Sequence, residues 1–178
     1  MATYVAFLRA INLGAKRKFA KASIAAAVEK AGFTGVETYI NTGNVRFDTS
    51  LRSRARIEAA LEEAFAAEAG FEVPTMVFTK AEVRTIAADA AELGADRELE
   101  RHFVYLLKSE PEVARVDALA GRSTDVNEVV VRGRAAHLLL GAGYVQGTVD
   151  PFGVEKALGV AATNRNLTVI RTLAEKWC

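Results

Sequence analysis

Apolar positions along this chain follow two rhythms: short runs of strand length, and longer stretches with apolar residues three and four apart. Tyr4 to Leu8 is a continuous apolar run, and Ala20 to Ala31 follows with Ile24, Val28 and Ala31 at helical spacing. Gly32 stands where a left-handed C-cap belongs, with Phe33 placed to fold back onto the last turn. Val36 to Ile40 predicts a second strand, Asn44 to Phe47 a third, and Ser53 to Ala69 a helix striped by Ile57, Leu61 and Phe65. Gly70-Phe71 repeats the cap before a fourth strand, Val73 to Phe78, whose Pro74 suits a sheet edge or a first strand position. Two βαβ units in tandem predict a ferredoxin-like βαββαβ sandwich over residues 1–80.

Beyond this, Thr79 to Arg101 carries six acidic residues and only a weak apolar stripe (Val83, Ile86, Ala90), which predicts a surface helix, a connector and a boundary between lobes. The second lobe, 81–178, opens with a strand at His102 to Leu107 and a helix at Pro111 to Ala120 with Pro near N1. A hairpin follows, Val126 to Val131 with Ala135 to Leu140, turning at Gly133-Arg134. Gly141 to Asp150 reads as a glycine-rich loop, Phe152 to Leu158 as a short helix ending at Gly159, and Asn166 to Trp177 as a last helix with Ile170, Leu173 and Trp177 inward. The expected class is therefore α+β: a ferredoxin-like N-terminal half joined to a β-α-β-β lobe that ends in helices, the two counting as one compact domain or two.

Composition narrows the function. At 178 residues and 51% hydrophobic, the chain can bury a sizeable core, which excludes a disordered or fibrous protein. Lys and Arg number 23 against 22 Asp and Glu, so no overall field captures nucleic acid and any such binding needs a local patch. A single cysteine, Cys178, excludes a disulfide framework and a multi-cysteine zinc site and points to a reducing, cytoplasmic setting. Met1 to Leu13 is too short, and too soon interrupted by Arg9, for a membrane span, so no membrane partner is expected.

The local patch exists. The first 28 residues hold Arg9, Lys16, Arg17, Lys18 and Lys21 without one Asp or Glu. In a βαββαβ unit the loop after the first strand and the hairpin Asn41-Thr42-Gly43-Asn44 share one end of the sheet, bringing Arg9, Asn12 and Asn44 near each other. Basic and amide side chains with a glycine, ahead of a helix N-terminus, are the parts of a phosphate site. The plainer reading is a solvated basic loop beside ordinary turn residues. Neither GxGxxG nor GxxxxGK[ST] is present, so no standard nucleotide loop is claimed.

A second candidate is Thr163-Asn164-Arg165-Asn166, read as the opening of the last helix. There a cation such as Arg165 opposes the helix dipole unless an anion or carboxylate offsets it. His102 and His137 read as ordinary sheet residues, and Tyr39 and Tyr144 as packing residues worth watching, the latter after Gly141-Ala142-Gly143.

Three segments together resemble a known bacterial family, domain of unknown function 1697: Tyr4 to Asn12, Tyr39 to Phe47, and Leu158 to Asn166. The resemblance implies a compact, cytosolic α/β fold with ferredoxin-like halves, and carries no activity, substrate or cofactor. The chain departs from the family pattern at Ala10 and Ala15, where glycines are usual, at Asn164, where threonine is usual, and at Leu167, where tryptophan is usual. After Tyr144 it reads Val145-Gln146-Gly147-Thr148-Val149, without the lysine that the family often shows there.

The leading expectation is a binding module for an anionic ligand, a nucleotide phosphate or nucleic-acid backbone, using Arg9, Asn12, Lys16, Arg17 and Asn44, with Arg165 as a further candidate. No cofactor and no metal are expected. The alternatives are a small-molecule enzyme, for which no nucleophile or general base is visible, and a homodimeric interaction protein.

Overall fold

A computed structural model of the chain describes residues 1–143 and 150–178. Tyr144 and the segment after it lie outside the described residues. Two compact units emerge, Met1–Val83 with Lys176–Cys178, and Arg84–Glu175.

The first unit runs β1 (Ala2–Leu8), α1 (Lys21–Lys30), β2 (Thr34–Tyr39), β3 (Asn44–Thr49), α2 (Arg54–Ala69) and β4 (Thr75–Thr79). Its antiparallel sheet has the order β2-β3-β1-β4, the ferredoxin-like arrangement. Tyr4, Ala6 and Leu8 of β1, with Val45, Phe47 and Val77 across from them, form one core with Ile24 and Val28 of α1 and Ile57, Leu61 and Phe65 of α2. Both Gly-Phe pairs end helices as expected: Gly32 and Gly70 have φ of 87° and 78°, and the Phe33 N–H reaches back to the Val28 carbonyl. Pro74 stands immediately before β4, and its carbonyl accepts the Arg9 N–H at 2.9 Å.

β4 is an edge strand, and three of its N–H groups are taken by glutamates. Thr75 donates to Glu62, Val77 to Glu58 and Thr79 to Glu82, at 2.9, 2.9 and 2.7 Å. Glu58 and Glu62 come from one face of α2, four residues apart; Glu82 closes a capping box with Thr79 at the start of α3 (Lys80–Gly94). The unpaired edge that would otherwise template another strand is thereby closed.

The second unit continues from α3 through β5 (Arg101–Leu107), α4 (Val113–Ala120), β6 (Asn127–Arg132), β7 (Ala135–Leu140), α5 (Val154–Leu158), β8 (Ala162–Asn166) and α6 (Leu167–Trp177). The sheet order β6-β7-β5-β8 repeats that of the first unit, so the α+β class holds and both units are ferredoxin-like.

Two expectations change. The segment Thr163 to Asn166, read as the opening of the last helix, belongs to strand β8 and pairs with β5. Arg165 accordingly sits in a strand and not in the first turn of a helix. Only Asn166 caps α6, its Oδ1 accepting from the Val169 N–H at 2.9 Å. The helix after β5 begins at Val113 with Glu112 as its N-cap, so Pro111 precedes the cap instead of occupying N1.

The hairpin turns at Gly133-Arg134 as expected, with Arg132 opposite Ala135 and Gly133 at φ 55°. Tyr105, Leu107, Val129, Ala136, Leu138 and Leu140 face α4 and α5 in this unit's core. Among the described residues, no helix is long and apolar enough to cross a membrane.

Candidate functional site

The loop between β1 and α1 is held by its own side chains. Asn12 is its hub: the side-chain amide donates to the Phe19 carbonyl at 3.0 Å and the Asn41 carbonyl at 2.6 Å, and Oδ1 accepts from the Phe19 N–H at 2.9 Å. Its backbone N–H donates to the Arg17 carbonyl at 2.7 Å. The bonds to Phe19 close the loop on itself, and the bond to Asn41 ties it to the β2–β3 hairpin. Gly43 makes that approach possible, because a Cβ there would lie 2.7 Å from Leu8 Cβ and 2.8 Å from Ile11 Cδ1.

Arg17 is committed to the frame. Its Nε donates to the Ala10 carbonyl at 2.6 Å, a terminal nitrogen donates to the Glu72 carbonyl at 2.8 Å, and the guanidinium lies 4.4 Å from the centre of the Phe71 ring. Asn44 is buried opposite Phe7, and its amide donates to the Tyr39 carbonyl and to Thr42 Oγ1 at 2.9 and 3.0 Å. Arg9 is half-buried, and Lys16 is exposed. The expected neighbourhood of loop and hairpin therefore forms, but Asn12, Arg17 and Asn44 serve to build it. Arg165 belongs to the second unit. It is 5% exposed on β8, and one of its terminal nitrogens donates to Thr163 Oγ1 at 2.9 Å and the Asn164 carbonyl at 2.7 Å. Burial pulls its pKa down to about 9, which leaves it charged at neutral pH.

The frame presents other groups. A cleft of about 560 Å³ is lined by Asn12, Gly14, Lys18, Lys21, Ala22 and Asn41. α1 starts in its wall: Ala20 occupies the N-cap without a side-chain cap, and the first turn has no acidic residue. The first intrahelical bond runs from the Ile24 N–H to the Ala20 carbonyl, so the N–H groups of Lys21, Ala22 and Ser23 have no acceptor within the helix. Among the described residues no carboxylate pairs with Lys16, Lys18 or Lys21. The start of α1 and the two lysines thus line the same cleft. Ala10, Asn12 and Ile40 all have positive φ (55°, 55° and 49°), so backbone strain is concentrated around this loop.

Lys18 and Lys21 belong to the basic patch of the sequence, but the sequence reading does not set them apart as site residues; the uncapped Ala20 ahead of an apolar helical stripe is the available signal. Nor does it join His102 to His137. The ladder register sets His137 opposite Val104, two residues along β5 from His102, and brings His102 Nε2 within 3.3 Å of His137 Nδ1. Tyr39 packs edge-on against Trp177, whose indole N–H donates to Glu37 at 3.0 Å.

The profile of a family described as "Protein of unknown function (DUF1697)" matches residues 1–137. A solved structure, described as that of the conserved bacterial protein SP0830 from Streptococcus pneumoniae, is similar to this chain. The TM-score is 0.77 at 20% identity, over 98% of this chain and 97% of that one, a likeness that speaks for the fold. No curated protein matches the sequence.

Proposed function

Since this chain belongs to the DUF1697 family, whose description assigns no activity, we propose a function read from its own side chains: a binding module for a phosphate-bearing ligand, taken at the N-terminus of α1. The observation that carries this reading is the uncapped first turn of α1 opening into a cleft with Lys18 and Lys21 beside it. A helix N-terminus favours negative charge through its unpaired N–H groups and its dipole, and two lysines add charge without competing carboxylates. The strained, self-bonded loop supports the reading, because a preorganised frame spares the ligand the cost of ordering it. We place the module in the bacterial cytoplasm.

A small phosphorylated ligand suits the cleft's volume, whereas a nucleic-acid backbone needs a longer basic track. Dimerisation by strand pairing at β4 is disfavoured, because Glu58, Glu62 and Glu82 already occupy its donors.

The test is a thermal-shift screen against inorganic phosphate, nucleotides, sugar phosphates and short RNA, repeated with Lys18→Ala and Lys21→Ala. A ligand at about one hundred times its dissociation constant adds about 2.7 kcal/mol to stability. The reading predicts a shift for at least one phosphorylated compound that both variants reduce. No shift from any of them, or one that both variants leave intact, contradicts it.

A further inference from the structure

The second unit has a cleft of its own, about 590 Å³, between the C-terminal end of α3, the start of β5 and the first turn of α6. Arg97, Arg101 and Arg171 line it, against Glu100 as the one lining carboxylate. Arg97 is also paired with Glu128 at 2.7 Å, and Arg101 donates to the Glu100 carbonyl at 2.7 Å, which leaves Arg171 as the cation least committed elsewhere. α6 is eleven residues long, and Asn166, Leu167 and Thr168 at its beginning face the cleft.

His102 forms part of the wall and supplies an independent sign of a ligand. The residue is only 7% exposed, its Nε2 meets His137 Nδ1, and among the described residues its Nδ1 has no hydrogen-bond partner. A buried ring nitrogen without a partner is costly and calls for one. Nδ1 is turned towards Gly94, another lining residue, where a Cβ would meet it at 3.6 Å, an ordinary contact distance, so that glycine is the smallest group that can stand beside the nitrogen. Arg171 and Arg97 both act electrostatically on the His102 ring, so an anion placed among them is favoured by the same field.

We propose that this cleft binds a small oxyanion, the phosphate or carboxylate group of a metabolite-sized ligand, held by Arg171, Arg101 and the first turn of α6 and receiving a hydrogen bond from His102 Nδ1. An acceptor in the cleft selects the tautomer in which His137 Nδ1–H donates to His102 Nε2 and His102 carries its proton on Nδ1. Both rings remain neutral in this arrangement, so binding needs no net proton uptake. The site is separate from the α1 cleft, and either can fail without the other.

The experiment is calorimetric titration of the whole chain with inorganic phosphate and, in a second arm, with succinate, alongside nitrogen-15 NMR of labelled histidine side chains. The variants are Arg171→Ala and Gly94→Ala. Gly94 ends a helix without positive φ, so the added methyl group fills the space before Nδ1 at ordinary contact distance and leaves folding intact. The expected result is saturable binding of one of the two anions, a shift of the His102 Nδ1 resonance, and affinity reduced about tenfold or more in each variant. The melting temperature of Gly94→Ala should stay the same or rise. No binding of either anion, a His102 resonance that does not move, or affinity unchanged in either variant overturns the proposal. Binding that disappears in Lys18→Ala and Lys21→Ala but persists in Arg171→Ala belongs to the α1 cleft, and overturns it too.

Discussion

His102 Nε2 and His137 Nδ1 lie 3.3 Å apart inside the second sheet, and burial holds both imidazoles neutral, with pKa values lowered to about 4. For His102 the next causes are Arg171 and Arg97; for His137 they are His102 and Arg132, with Asp89 pulling the other way. The ordinary histidine value is near 6.5, so on acidification the unfolded chain takes up protons first. Stability is therefore complete above about pH 6.5 and falls as the pH drops towards about 4, by up to about 3 kcal/mol for each ring. Urea unfolding at pH 7.5 and pH 5 should show the loss, and His137→Gln should reduce it. Equal wild-type stability at the two pH values contradicts the account.

The Glu58 side chain belongs to a residue 5% exposed, and its carboxylate accepts the Val77 N–H of the β4 edge. Glu58→Ala removes a charge-assisted hydrogen bond and leaves that N–H buried without this acceptor, at a cost of about 2–3 kcal/mol. Denaturant unfolding should give a lower midpoint with an unchanged slope, and light scattering at high concentration should reveal association through the reopened edge.

Ala10 has φ 55°, a left-handed conformation that disfavours any Cβ. Ala10→Gly relieves the strain but loosens the unfolded chain, for a net gain of about 0.5–1 kcal/mol. Thermal unfolding should show a raised melting temperature; a lowered one would mean that the alanine methyl group contributes packing that outweighs the strain.

Much of the fold is legible because its signals are local. The run Tyr4 to Leu8, the stripe Ile57, Leu61, Phe65 and the two Gly-Phe caps need no partner to be recognised. Strand β8 hides because Thr163, Asn164, Arg165 and Asn166 include residues that also cap helices; what makes them a strand is pairing with β5, across about sixty residues of chain. The histidine pair hides for the same reason, since His102 and His137 meet only through the β5–β7 ladder. The basic loop is visible as a patch, but not which cations it spends on its own carbonyls. Arg17 is spent on Ala10 and Glu72, whereas Lys18 and Lys21 line the cleft.

Asn12 joins Phe19 and Asn41 through three hydrogen bonds, so Asn12→Ala should loosen the frame more than it weakens the fold. The expected cost is about 1–2 kcal/mol, with faster amide exchange at Phe19, read by hydrogen exchange. Unchanged exchange there would remove Asn12 as the hub of the loop.

The first turn of α1 is the proposed anion site. An amide NMR titration of the whole chain with inorganic phosphate reads it directly, through the N–H signals of Lys21, Ala22 and Ser23. Saturable shifts are expected at these three amides, weakened in Lys18→Ala and Lys21→Ala. Amides that stay still at saturating phosphate and at saturating concentrations of the phosphorylated compounds would contradict it.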